Sequence, residues 1–201
     1  KNSMALTDRE TDTVTFMEEH SLRLYRLDHG IAVAIYGAVP DRQLPLESYI
    51  GFTLFVNGFP VAYGGAWIFG EIANFGINIF DMYRGAESGY FLCQLLRLYR
   101  QVFKVSYFEI EPYQFGLDNP EGIKSGAFWF YFRYGFRLQD KKLHRVSLQE
   151  KEKINADKKY RTPARTLVRF TQCNMVLRLG KEVPAGLADI TGKILKFISK
   201  E

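Results

Sequence analysis

Short apolar runs broken by turn residues dominate the first two thirds of the chain. Residues 49–56, 60–69 and 72–80 are rich in aromatic and β-branched side chains, and they are separated by Asn57-Gly58 and Gly70-Glu71. Runs of this length and composition favour strands. Asn-Gly is a strong hairpin signal because both residues tolerate positive φ. The pattern therefore predicts an antiparallel meander, preceded by a strand at residues 31–36 that Gly37 and Pro40 end. From Tyr90 the period changes. Leu92, Leu95, Leu96 and Tyr99 recur at helical spacing, with Arg97 and Arg100 near the end of the run; this predicts a helix over residues 90–102.

Further elements are read the same way. Leu6-Thr7-Asp8-Arg9-Glu10 suggests a helix start with Thr7 or Asp8 as cap, running to about Leu24. Residues 106–110 read as a strand, 116–122 as a loop, 125–134 as an aromatic helix stopped by Gly135, and 136–138 as a return to strand. Beyond Leu138 the texture is helical: a charged helix at 147–158, a second from Thr162-Pro163 to about Leu179, and a last amphipathic helix marked by Leu187, Ile190, Ile194, Leu195 and Ile198.

Charge supports a division near Leu138. Residues 1–136 carry 11 Lys/Arg against 15 Asp/Glu, a net of −4, whereas residues 137–201 carry 16 against 7, a net of +9; together they make the chain's +5. The expected organisation is a domain at 1–138 and a basic helical extension at 139–201. An apolar fraction of 47%, with 17 Phe and 12 Tyr, is ample for a packed core and argues against disorder.

The two cysteines, Cys93 and Cys173, and the three histidines show no ligand spacing. No metal site or disulfide framework is expected, and the thiols are read as buried in a reducing cytoplasm. Residues 52–80 are broken by Asn57, Gly58, Pro60, Glu71 and Asn74, so no membrane span or signal peptide is expected. The cations between Lys141 and Arg169 could attract nucleic acid, but no aromatic residues are interleaved with them as in single-strand binders. A solvated helix face is the better reading.

The chemistry is expected where the meander runs into the helix. The first turn of a helix offers unpaired N–H groups and partial positive charge, which suits a diphosphate, and glycine permits close backbone approach. The residues are Ile79-Phe80-Asp81-Met82-Tyr83-Arg84-Gly85-Ala86-Glu87-Ser88-Gly89-Tyr90. They resemble the coenzyme A-binding motif of the GNAT superfamily, in which Arg or Gln is followed by x-x-Gly-x-Gly/Ala. Arg84 matches the first position and Gly89 the last. Downstream, Ala127-Phe128-Trp129-Phe130-Tyr131-Phe132-Arg133-Tyr134-Gly135-Phe136 is similar to that family's Ala-x-x-x-Tyr-x-x-x-Gly-Phe signature.

The resemblance covers roughly residues 30–138. It implies an α/β (α+β) acyltransferase fold, with a mixed, largely antiparallel sheet flanked by helices and C-terminal helices added. It also implies acetyl-CoA or another acyl-CoA as cosubstrate, held by Ile79, Arg84, Gly85, Ala86, Glu87, Ser88, Gly89 and Tyr90, and an amine-bearing small molecule or protein as acceptor; a homodimer is a further partner to test. Tyr131 takes the role of acid toward the leaving thiolate. Glu111 ranks first as base, because Glu109 and Glu111 share a face of their strand by the period of two. Two positions depart from the family pattern. Glu87 replaces the middle glycine, where its carboxylate either opposes the diphosphate or itself caps the helix. Lys124 stands where the family often has Asn, and Asn119 is read as a turn residue. The alternative to an enzyme is a degenerate GNAT-fold binding module.

Overall fold

A computed structural model describes residues 11–85 and 87–199. The expected cap at Thr7 or Asp8 and the site residue Ala86 lie outside that range. The architecture is mixed α/β, with a largely antiparallel sheet and flanking helices. Backbone contacts divide the chain into two compact units, residues 1–107 with 180–201, and residues 108–179.

The first unit opens with a four-residue helix, α1 (Asp12–Thr15), and then strand β1 (Arg23–Arg26). The expected helix to Leu24 is therefore replaced by a short turn and a strand. Arg23 to Arg26 pair antiparallel with residues 35 to 32 of β2 (Ile31–Gly37), and this cross-strand pairing overrides the local helical pattern. The meander follows as β3 (Ser48–Val56), β4 (Phe59–Phe69) and β5 (Ile72–Ile79), each antiparallel to the one before. Asn57 and Gly58 have φ of 50° and 86°, so the hairpin turns with both central residues left-handed.

Inside this sheet Gly51, Gly65 and Gly76 lie in register across three strands. The missing side chains make room for tyrosine rings. A Cβ at Gly51 would lie 2.5 Å from the Tyr36 ring, and one at Gly65 would lie 2.4 Å from Tyr49 Oη. Helix α2 (Ser88–Phe103) buries Phe91, Leu92, Leu95, Leu96, Leu98 and Tyr99. The Tyr99 ring meets the stacked pair Phe52 and Phe75 edge-on, and its hydroxyl donates to Ile50 O at 2.7 Å. A last helix, which is named below, completes the unit.

The second unit contains β6 (Tyr107–Ile110), α3 (Pro120–Ser125), α4 (Ala127–Arg133), β7 (Arg137–Leu138), α5 (Lys141–Ala156), α6 (Ala164–Phe170) and β8 (Met175–Arg178). The loop expected at 116–122 contains the start of α3. Asn119 is its cap, accepting from Gly122 N at 3.1 Å, and Pro120 takes the first helical position. Gly126, with φ of 70°, then breaks the expected single helix at 125–134 into α3 and α4. The helix expected to run to Leu179 stops at Phe170, and β8 pairs antiparallel with β7 instead. Met175 and Val176 are buried there, which gives that run a use that a solvent-facing helix would not. Phe115, Phe128 and Phe170 form the aromatic centre of this unit.

The final helix, α7 (Leu187–Ile198), belongs to the first unit, and none of its residues is buried. No helix among the described residues is long and apolar enough to cross a membrane. Cys93 is exposed and Cys173 partly so, and both are free thiols, which corrects the reading of two buried thiols.

Candidate functional site

The site begins where β5 ends. β4 carries one extra residue, Val61, between Leu54↔Ala62 and Phe55↔Pro60. This bulge accommodates Pro60, which has no N–H for the ladder. Val61 O accepts Phe80 N at 3.0 Å, tying the first residue after β5 to the bulge. A single 3₁₀ turn at Asp81–Tyr83 follows. Arg84 then folds back: its Nε donates to Ile79 O at 3.2 Å and its Nη2 lies 3.1 Å from Asp81 Oδ1. Ile79 and Arg84, expected at the cofactor site, are thus brought together. Both ends of the ion pair are well exposed, so its net worth is small.

Beyond Arg84 the chain enters α2 two residues earlier than the pattern predicts. Ser88 and Gly89 are helical and buried, and Tyr90 is exposed with its ring edge-on to His29 at 5.7 Å. Glu87 is the cap residue with φ of −82° and ψ of −14°, and its side chain makes no capping hydrogen bond. The Glu87 carboxylate is exposed and does not occupy the amides of the first turn. One amide is engaged elsewhere: Gly85 N donates to Ser88 Oγ at 3.0 Å, while Ser88 N donates to Gly85 O at 3.1 Å. A Cβ at Gly85 would meet nothing within 4 Å. Its glycine therefore leaves the turn open to an approaching group rather than relieving a clash. The α2 N-terminus can supply amide donors and partial positive charge to an anion.

The proton-transfer candidates lie in the second unit. Tyr131 on α4 is buried beside Phe130 and Phe136, and its hydroxyl donates to Gln114 Oε1 at a long 3.5 Å. Burial raises its pKa well above that of an ordinary phenol, so the hydroxyl stays protonated but gives up its proton less readily. Glu111 stands one residue past the end of β6 and caps the 3₁₀ turn Pro112–Phe115; its side chain is exposed. Glu109, within β6, accepts from Gln139 Nε2 at 3.2 Å and Asn174 Nδ2 at 3.0 Å. Both oxygens of Glu109 are used to tie β6 to the segments around β7 and β8. Of the two carboxylates, Glu111 is the one left facing solvent.

Asn119 is the residue that sequence reasoning undervalued. Besides capping α3 it donates from Nδ2 to Tyr113 O at 2.9 Å, holding the 3₁₀ turn against the helix. The signal was present as Asn followed by Pro, the cap-then-Pro pattern of a helix start. Among the described residues no group of three or more His, Cys, Asp or Glu could hold a metal ion.

No family model matches the chain, and no curated protein matches it. Among solved structures it is similar to a GNAT family acetyltransferase from Elizabethkingia anophelis with acetyl-CoA bound. The TM-score is 0.39 and the identity 15%, over 57% of this chain and 80% of that one. It is also similar to a cAMP-binding acyltransferase from Mycobacterium smegmatis. There the TM-score is 0.40 and the identity 11%, over 98% of this chain but 61% of that one. The chain therefore spans about three fifths of the mycobacterial protein. At these scores the reading of the site rests on its own residues.

Proposed function

We propose that this protein is an acyl-CoA-dependent N-acyltransferase of the GNAT type, transferring an acetyl or larger acyl group to an amine. The observation that carries this reading is the first turn of α2, reached directly from the meander and capped by no side chain. In this reading the amides around Ser88 and Gly89 and the α2 dipole hold the diphosphate of the cosubstrate. The backbone near Ile79 takes the arm that follows, and Arg84 fixes the turn through Ile79 O. The acceptor amine, once neutral, attacks the thioester carbonyl; the C–N bond forms and the C–S bond breaks. The amine loses a proton toward Glu111 or a water beside it, and the thiolate receives one from Tyr131.

The raised pKa of Tyr131 bears on the last step. A phenol this reluctant to ionise acts by donating a hydrogen bond to the developing thiolate more than by full proton transfer. Its weak 3.5 Å bond to Gln114 is easily exchanged for one to sulfur.

One observation favours the second reading, a binding module without catalysis. Glu87 adds an exposed negative charge beside the turn, where like charges about 4 Å apart repel by ~1 kcal/mol in water. Calorimetric titration with coenzyme A and acetyl-CoA separates the two. Micromolar binding accompanied by acyl transfer to an amine supports the enzyme, and micromolar binding without transfer supports the module. Glu87→Gly should tighten coenzyme A binding severalfold. Absence of heat at millimolar ligand, or weaker binding in the Glu87→Gly variant, overturns the assignment of the turn.

A further inference from the structure

A cavity of about 450 Å³ lies wholly within the second unit, between α4, the later turns of α5 and the segment 160–162. It is distinct from every residue assigned above. Its volume falls in the range of pockets that enclose small organic ligands, ~300–1,000 Å³, and is generous for a simple inorganic anion. Its lining combines aromatic surface, from Trp129 and Phe132, with four cations: Arg133, Arg137, Lys151 and Arg161.

The nearest buried carboxylate does not neutralise these cations. Glu150 accepts from Lys153 Nζ at 2.7 Å and from Tyr160 Oη at 2.8 Å, so its oxygens are committed to a partner that does not line the cavity and to the Tyr160 wall. Two guanidiniums are held in place by the backbone. Arg137 Nη1 donates to Phe132 O at 2.7 Å and Phe136 O at 2.8 Å, with its plane over the Phe132 ring at 4.0 Å. Arg161 Nη1 donates to Lys158 O and Tyr160 O, each at 2.8 Å. Both arginines retain further N–H donors, the fork geometry that matches phosphate oxygens. The Arg133 and Lys151 side chains make no ion pair among the described residues. Trp129 is fixed as a wall by its indole N–H, which donates to Thr162 Oγ1 at 3.2 Å.

Cations fixed around a cavity without a counter-charge repel one another, and an anion relieves that repulsion. Burial already pushes the Arg137 pKa down, in the direction such crowding would also favour. An aromatic wall adds affinity for a flat ring rather than for a bare ion. We propose that this cavity binds a phosphate monoester carried on a planar ring, of mononucleotide size, with Arg133, Arg137, Lys151 and Arg161 around the phosphate and Trp129 beside the ring.

The test uses the full chain and calorimetric titration with AMP, adenosine, ribose 5-phosphate and inorganic phosphate. AMP should bind, with an affinity that falls as salt rises. Adenosine, which lacks the phosphate, and inorganic phosphate, which lacks the ring, should each bind at least tenfold more weakly. Arg137 and Arg161 hold backbone carbonyls, so the variant chosen is Arg133→Gln with Lys151→Gln, which leaves those bonds intact. It should lower AMP affinity tenfold or more while the melting temperature without ligand stays unchanged. Several results overturn the proposal: no heat with AMP at millimolar concentration, equal affinity in the double variant, or inorganic phosphate binding as tightly as AMP. Displacement of AMP by coenzyme A also overturns it, since both would then share one site. Because none of these residues belongs to the α2 turn, failure here leaves the acyl-CoA reading untouched, and the converse holds as well.

Discussion

Gly65→Ala tests whether the glycine row of the sheet is required by packing. A Cβ at Gly65 would lie 2.4 Å from Tyr49 Oη, 2.6 Å from Tyr49 Cζ and 2.8 Å from Ile50 O. The tyrosine can move, but Ile50 O is backbone in a paired strand, and it is also the acceptor of the buried Tyr99 hydroxyl. Overpacking of this kind costs about 1–3 kcal/mol. Losing the Tyr99 bond adds about 1 kcal/mol. Replacing glycine by alanine returns ~0.4–1 kcal/mol through the unfolded chain. The net loss is about 1–3 kcal/mol, which for a chain of this size lowers the melting temperature by roughly 2–12 °C. Thermal melts followed by far-UV circular dichroism, with urea titrations at 25 °C, measure it. Adding Tyr49→Phe removes the 2.4 Å contact but leaves those at 2.6 and 2.8 Å, so only part of the loss should return. A Gly65→Ala variant that melts with the parent refutes the reasoning. Complete recovery in the double variant shows that Ile50 plays no part.

Other expectations follow from single residues. Asn119→Ala removes a cap and a bond to Tyr113 O, and should cost about 1–2 kcal/mol in urea unfolding, whereas Asn119→Asp keeps the cap and should cost less. For Glu150, burial pushes the pKa up, but hydrogen bonds from Lys153 and Tyr160 outweigh it and the net shift is downward. Its contribution to stability is therefore complete above the unfolded value of about 4.3 and is lost as pH falls below that toward the folded value. Glu150→Gln should flatten this part of the acid limb in unfolding measured from pH 6 to 3, and an unchanged limb contradicts the account. Tyr131→Phe should reduce turnover at least tenfold with coenzyme A affinity and melting temperature little changed, because the bond it removes is long. Unaltered turnover would remove Tyr131 from the reaction.

Local chemistry in the sequence determined the meander, its Asn57-Gly58 turn and helix α2, because each rests on a period of two or 3.6 and on residues that tolerate their own dihedral angles. The motif between β5 and α2 was legible for the same reason: glycine and a helix start are neighbours in the chain. Partners distant in sequence were not. Residues 23–26 became a strand because β2 pairs with them, and 175–178 because β7 does. Nothing local to either run favours extended over helical backbone strongly enough to show this. Glu109 and Glu111 are equivalent by alternation, yet one is tied to Gln139 and Asn174 while the other lies past the strand end, facing solvent. The clustering of Arg133, Arg137, Lys151 and Arg161 around one cavity depends on how α4 and α5 are turned toward the segment that follows them. Side chains 28 residues apart meet only when tertiary packing sets that rotation, so tertiary structure alone decided it.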